Sequence, residues 1–194
     1  MSFRLFGLAA VPLAILAVGC SGGGDSNGST PAQPAEAAKK AGDQTIANGL
    51  NANSRFAQAA KAAGLDATLA GPGPYTVLVP SDEAFGKVEG ALKDPANPQN
   101  RAELTRVLTY HILPGTVLIE DLAKAVDNGK GKALVQTMNG ETLTATKDGD
   151  KVVLTDASGG KATIVDGDQQ RSNGVVQQID AVLMPSAEGA AEKK

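Results

Sequence analysis

The clearest pattern of apolar and polar positions lies in the middle of the chain. Residues 76–79 form a β-branched and apolar run, which is typical of a buried strand. Pro80 has no N–H for a ladder and ends this strand, and Ser81 is placed to cap a helix that has Asp82 in its first turn. Phe85 then returns to the core. The pattern predicts a strand that passes directly into a helix, which marks a fold rather than a chemical site.

Apolar residues at helical spacing predict further helices on both sides of this junction. Two short helices precede it, the second between a Ser54 cap and a Gly64 terminator. Two more are predicted over residues 98–109 and 119–126. Between them, residues 110–113 predict a short strand, which Pro-Gly then stops.

From residue 132 onward the apolar period changes to two, with turn residues between the runs. Asn139-Gly140 predicts a two-residue hairpin turn. Strands are predicted over residues 133–138, 141–146, 152–155, 162–165 and 175–184. Helices first and hairpins after predict an α+β domain, with a mostly antiparallel sheet or β-sandwich beside a cluster of short helices.

The first residues of the chain predict export. Residues 1–19 join one basic residue to an apolar run that is too short to span a membrane, as in a signal peptide. Cys20, the one cysteine, follows a small residue, and the segment resembles a bacterial lipobox in which the cysteine carries lipid. Ala17 stands where Leu is usual. The alternative is an ordinary secretory signal with an incidental cysteine, and hence a secreted protein.

A lipidated Cys20 anchors the chain in the bacterial cell envelope, because two or more acyl chains give a firm membrane anchor. Ser21, rather than Asp, follows the cysteine, so the outer membrane is expected if the host is Gram-negative. Residues 20–42 are rich in Gly, Ser, Pro and Ala and predict a flexible tether. Residues 43–186 form the predicted domain, and residues 187–194 a disordered tail.

Charge and residue usage narrow the function. The formal net charge of −3 argues against nucleic acid or an anionic membrane surface as partner. With one histidine and one cysteine in the chain, zinc sites and thiol catalysis are not expected, and no metal or cofactor is predicted. The two Asp-Gly-Asp sequences at 148–150 and 166–168 begin like calcium loops, but turn chemistry explains them as well.

Three blocks in order, residues 75–85, 108–115 and 172–185, resemble the fasciclin domain, and the similarity extends over about residues 45–185. The resemblance implies a wedge of two packed antiparallel sheets with a cluster of helices. It also implies an extracellular adhesion or interaction module without a cofactor. The residues that carry the motif in this chain are Thr76, Pro80, Ser81, Asp82, Phe85, Pro114, Gly115, Asn173, Gly174 and Asp180.

The resemblance also implies candidate interaction residues. The pair Tyr110-His111 matches one tied to adhesion in animal members, although a hydrogen-bonded structural role is the alternative for His111. Asp168 matches the acid of an Asp-Ile pair associated with integrin adhesion, but Gln169 replaces the Ile and no Arg-Gly-Asp occurs. Gln177 stands where many members have His. An integrin role is therefore not expected, whereas a general surface role is.

The sequence thus predicts a non-catalytic adhesion or interaction module, anchored at the surface or in the envelope, that binds a protein or glycan partner. The alternative is a small-ligand carrier or an uncharacterised enzyme of the cell envelope. A sandwich fold with a deep pocket lined by convergent polar groups would favour that alternative.

Overall fold

A computed structural model describes residues 42–88 and 90–186 of the chain. The predicted leader, Cys20, the terminal tail and nearly all of the predicted tether lie outside these residues. The described helices are α1 (Ile46–Gly49), α2 (Arg55–Ala63), α3 (Asp66–Ala70), α4 (Asp82–Gly86), α5 (Arg101–Tyr110) and α6 (Ile119–Asn128). The strands are β1 (Tyr75–Pro80), β2 (Ile112–Pro114), β3 (Ala133–Gln136), β4 (Thr142–Asp148), β5 (Lys151–Thr155), β6 (Lys161–Arg171) and β7 (Gly174–Ile179).

The strands form one sheet in the order β2-β1-β7-β6-β5-β4-β3. All neighbours are antiparallel except β1 and β7, which run parallel. The long strand β6 joins the two halves, and its register with β7 shifts on either side of Asp166. Beyond β3, the Met138 N–H donates to the Ile112 carbonyl of β2 at 2.8 Å, so the sheet nearly closes on itself. The predicted α+β, mostly antiparallel fold is confirmed.

Two apolar cores lie on opposite faces of this sheet. Helices α1 to α5 contribute to the first core, in which Phe56 and Phe85 meet edge to face at 6.3 Å and pack with Val77 and Val176. Leu122 and Val126 of α6 contribute to the second, together with the inward residues of β4, β5 and β6. Helices α1 to α5 therefore pack against one face of the sheet, and α6 packs against the other face.

The predicted caps lie where local sequence placed them. The Ser81 hydroxyl accepts the Ala84 N–H at 3.2 Å, and the Ser54 hydroxyl accepts the Ala57 N–H at 3.3 Å. One cap is long-range: the Asp82 carboxylate accepts the N–H of Arg55, the first residue of α2, at 2.8 Å. This hydrogen bond joins the start of α2 to the start of α4.

Several predicted boundaries are wrong. Tyr110 is the last residue of α5 and His111 caps it, because the His111 N–H donates to the Leu108 carbonyl at 3.0 Å, so the strand begins only at Ile112. Asn139-Gly140 lies in a five-residue loop between β3 and β4 rather than in a two-residue turn, since Gln136 pairs with Thr142.

The last two strands also differ from their predicted lengths. Strand β6 runs to Arg171 instead of ending at residue 165, because its second half pairs with β7. Strand β7 ends at Ile179 instead of residue 184. The second Asp-Gly-Asp sequence, residues 166–168, therefore lies inside β6 at the register shift rather than in a hairpin turn.

Asn173 connects the first helices to the sheet. Its side chain is 6% exposed, and its amide oxygen accepts the Ile46 N–H at 2.7 Å. Its amide nitrogen donates to the Leu69 and Gly71 carbonyls at 2.8 and 2.7 Å. One buried side chain thus satisfies three backbone groups that α1 and α3 leave unpaired.

Replacing Asn173 by Ala is expected to lower the free energy of unfolding by about 3 kcal/mol or more, because each buried polar group left without a partner costs about 1–3 kcal/mol. Urea unfolding followed by circular dichroism measures the change. Asn100→Ala is the control, since that amide makes one exposed hydrogen bond, to the Asp94 carbonyl at 3.0 Å. Equal losses in the two variants would contradict the assigned role.

Candidate functional site

Tyr110 and His111 are buried, with exposed fractions of 0% and 1%. The expectation that they contact a partner directly is therefore corrected: neither side chain reaches the surface. The Tyr110 hydroxyl donates to the Thr142 carbonyl at 3.4 Å and accepts the Ala157 N–H at 3.2 Å. Burial raises the pKa of Tyr110 to about 12, so the phenol stays protonated.

Both ring nitrogens of His111 are engaged. Nε2 accepts the Leu183 N–H at 3.1 Å, so the proton lies on Nδ1, which donates to the Val107 carbonyl at 2.8 Å. Burial lowers the pKa of His111 to about 4, although the Val107 carbonyl and the Asp156 carboxylate act in the opposite direction. His111 is thus a neutral structural residue at neutral pH and has no free nitrogen to act as a base.

His111 belongs to a set of acceptors that hold the C-terminal segment, residues 181–186, which leaves the sheet after β7. The Asp156 carboxylate accepts the Met184 N–H at 2.8 Å, and the Glu141 carboxylate accepts the Ser186 N–H at 2.7 Å. The other Asp156 oxygen accepts the N–H groups of Ser158 and Gly160 at 2.9 and 2.8 Å. Side-chain acceptors thus take the place of the backbone hydrogen bonds that a longer β7 would have made with a neighbouring strand.

Asp168 is exposed and lies in the left-handed region, with φ of 56°. Its carboxylate accepts the N–H of Ile119, the first residue of α6, at 3.0 Å, and the Gln177 amide N–H at 2.8 Å. The side-chain amide oxygen of Gln177 (Oε1) in turn accepts the Asp168 backbone N–H at 2.9 Å. Asp168 therefore fixes the start of α6, and Gln177 holds Asp168 in place.

The remaining motif residues also make contacts that hold the strands and loops of the domain together. The Thr76 hydroxyl donates to the Gly115 carbonyl at 2.8 Å and accepts the Val117 N–H at 2.8 Å. Gly174 passes so close to Tyr75 that a Cβ would collide with its carbonyl oxygen. The Asp180 carboxylate accepts the Thr163 N–H at 2.7 Å. Pro114 is exposed at the end of β2, where it pairs with Tyr75 in register.

A groove of about 280 Å³ lies between the α1–α2 loop and strands β1, β7 and β6. Its lining was not predicted from the sequence, because its residues come from four separate parts of the chain, and the one part that forms a local motif, residues 79–82, marks a fold rather than a binding site. The lining residues are Gly49, Leu50, Asn51, Ser54, Val79, Pro80, Ser81, Asp82, Gln169, Arg171, Val176 and Gln178.

Arg171 is the basic residue of this groove, and its guanidinium lies over the backbone of Gly49. A Cβ at Gly49 would collide with the Arg171 Nε, so the glycine makes room for the side chain. The guanidinium donates one long hydrogen bond, to the Gly49 carbonyl at 3.4 Å, and its Nε is buried without a hydrogen-bond partner in the described residues. Arg171 and Asp82 form no ion pair within residues 42–88 and 90–186.

Other kinds of site are not seen in the part of the chain that the structure describes. In those residues, no group of three or more His, Cys, Asp or Glu side chains is arranged to hold a metal ion. The first Asp-Gly-Asp sequence forms the β4–β5 turn, where Asp148 pairs with Lys151. Among the described helices, none is long and apolar enough to cross a membrane.

The fold and these motifs define a fasciclin-type domain. The family model described as Fasciclin domain matches residues 51–185, and the chain belongs to this family. The FAS1 domain pair from the insect cell adhesion molecule Fasciclin I has the same fold, with a TM-score of 0.62 at 18% identity over 73% of this chain and 51% of that chain.

Relatives occur in bacteria and animals. The Synechocystis protein sll1483 is 36% identical over 142 residues, which are 72% of this chain and 71% of that protein. Immunogenic protein MPB70 of Mycobacterium bovis is 31% identical over 59% of this chain and 52% of its own length. Transforming growth factor-beta-induced protein ig-h3 of Sus scrofa is 32% identical over 66% of this chain, which spans only 17% of that relative.

The buried histidine predicts a specific pH dependence of stability. The pKa of His111 is 6.5 in the unfolded chain and about 4 in the folded one, so the unfolded chain gains the proton first as pH falls. The stability contributed by neutral His111 is complete above pH 6.5 and is lost between pH 6.5 and 4. The expected loss is about 3 kcal/mol.

His111→Gln supplies the comparison for this prediction, because Gln retains an acceptor but does not titrate. The unfolding free energy of the native chain minus that of the variant should fall by about 3 kcal/mol from pH 7 to pH 4. The carboxylates are present in both chains, so their contributions cancel in this difference. Urea titrations at each pH measure it. A difference that stays constant with pH would refute the neutral, buried state of His111.

Proposed function

We propose that this chain is a non-catalytic adhesion or interaction module of the bacterial cell envelope, held by lipid on Cys20, that binds a protein or glycan partner. The observation that carries the proposal is the fasciclin fold, which the chain has in common with a domain pair from an insect cell adhesion molecule. Of the two kinds of partner, protein and glycan, a protein is favoured. The groove offers charged and amide groups, which suit a partner polypeptide that carries both polar and apolar side chains.

The buried polar groups support a non-catalytic role. His111, Tyr110 and Asp156 are each buried and hydrogen-bonded to backbone groups. A general base needs a free lone pair within reach of its substrate. These groups hold the fold together instead.

The alternative of a small-ligand carrier or an envelope enzyme requires an enclosed pocket. The groove beside Arg171 is lined in part by exposed side chains, among them Asn51, Ser81, Asp82 and Gln178. Such a lining is better suited to the surface of a larger partner than to the enclosure of a small molecule.

Binding is tested with the full chain, purified from membranes in mild detergent and applied to immobilised envelope and secreted fractions of its host. The native chain should be retained by at least one fraction, and protease treatment of that fraction should abolish the retention. Heat-unfolded chain is the control. Retention no greater than that of the control in every fraction would refute the interaction role, and loss after glycosidase treatment alone would reassign the partner as a glycan.

The anchor is tested separately. The native chain should sediment with membranes, and mass spectrometry of its mature N-terminus should find acylated Cys20, because two or three acyl chains bind a bilayer firmly. Cys20→Ser should remove the modification. An unmodified N-terminus at another residue would contradict lipid attachment and favour the secreted alternative.

A further inference from the structure

Two opposite charges line the groove without neutralising each other. Arg171 is partly buried, and a charge in that position is normally paired with a carboxylate. Within the described residues it donates one hydrogen bond, the long one to the Gly49 carbonyl at 3.4 Å. The Asp82 carboxylate uses one oxygen for the Arg55 N–H and is otherwise exposed. The groove therefore presents one cationic and one anionic position.

The sheet register sets the distance between these positions. Arg171 lies beside Gly174, and the Ser81 N–H donates to the Ile179 carbonyl, so Arg171 and Ser81 are about six residues apart along β7. At about 3.3 Å per residue, the backbones of Arg171 and Ser81 are roughly 20 Å apart along the strand direction. An extended peptide of about six residues has this length.

The lining between the two charges suits a peptide backbone. Gln169 and Gln178 supply amide donors and acceptors, and the partly buried Val79 supplies apolar surface. Strands β1, β7 and β6 are each paired on both sides, so a peptide in the groove is held by these side chains and not by adding a strand to the sheet. No aromatic side chain is among the lining residues, whereas sugar rings commonly bind against aromatic faces.

We propose that this groove binds an extended peptide segment of a partner protein, with an acidic group against Arg171 and a basic group about six residues away, near Asp82. The proposal rests on the proposed interaction function and assigns it a site. It also explains why a half-buried guanidinium lacks a carboxylate: the partner supplies it.

The test uses the full chain in mild detergent and three fluorescent, blocked six-residue peptides. Their sequences are Glu-Thr-Val-Thr-Val-Lys, the same residues with Glu and Lys exchanged, and a neutral form with Gln at both ends. Anisotropy titrations should give one charged order that binds at least about tenfold tighter than the neutral peptide, with binding that weakens as salt is raised. Failure of all three peptides to bind, or equal binding of all three, overturns the proposal.

Two groove variants assign the charges. Arg171→Gln and Asp82→Asn should each weaken the preferred peptide about fivefold. Asn at position 82 retains an oxygen for the Arg55 N–H, so the α2 cap survives. Arg101→Gln and Asp121→Asn, which are exposed and lie outside the groove, are the matched controls and should leave binding unchanged.

Combining Arg171→Gln with removal of the peptide's Glu tells direct contact between the two groups apart from a general effect of the substitution on the fold. If Arg171 binds the acidic end, the effect of Arg171→Gln should vanish for a peptide with Gln in place of its Glu. An equal loss for both peptides would mean that Arg171 only shapes the fold, and would overturn the proposal. Undiminished binding of the envelope partner by Arg171→Gln would overturn the groove assignment while leaving the interaction function intact.

Discussion

This fold depends on side chains that satisfy backbone groups which its short elements leave unpaired. The six short α-helices of residues 42–88 and 90–186 and a folded sheet expose many N–H and C=O ends, and a buried end without a partner is costly. Asn173 serves α1 and α3, Asp168 serves the start of α6, and His111 serves the C-terminal segment. Each of these contacts joins parts of the chain that are distant in sequence. The wedge is therefore held by polar contacts as well as by its two apolar cores.

Elements specified by neighbouring residues were predictable from the sequence. The Ser81 cap, the Ser54 cap and the left-handed Gly64 follow from residues within one helical turn, and all three occur in the structure. The end of α5 was not predictable, because apolar residues on both sides of His111 fit a strand as well as a helix. There, the choice is made by the ring of His111, which binds Val107 within the helix and Leu183 far outside it.

The same limit applies to the sheet. Nothing local distinguishes the parallel pairing of β1 with β7 from an antiparallel one, and the end of β7 depends on acceptors from other segments. The resemblance to a family supplied the overall architecture, but not the roles of its motif residues. Tyr110 and His111 matched a pair tied to adhesion, yet the structure buries both side chains. A residue of a family motif can serve folding as well as binding, and the burial of Tyr110 and His111 indicates a role in folding.

The groove illustrates the converse case. Arg171 and Asp82 belong to no motif that marks a binding site, and their meeting in one groove follows from the pairing of β7 with both β1 and β6. Within the domain, the Asp156 and Glu141 carboxylates are satisfied by the C-terminal segment, whereas the Arg171 guanidinium is not satisfied by any described carboxylate. The buried Asp156 is thus hydrogen-bonded within the domain, whereas the partly buried Arg171 has no described carboxylate as a partner. Because desolvating a lone charge is unfavourable, an approaching carboxylate gains more at Arg171 than at an arginine already paired.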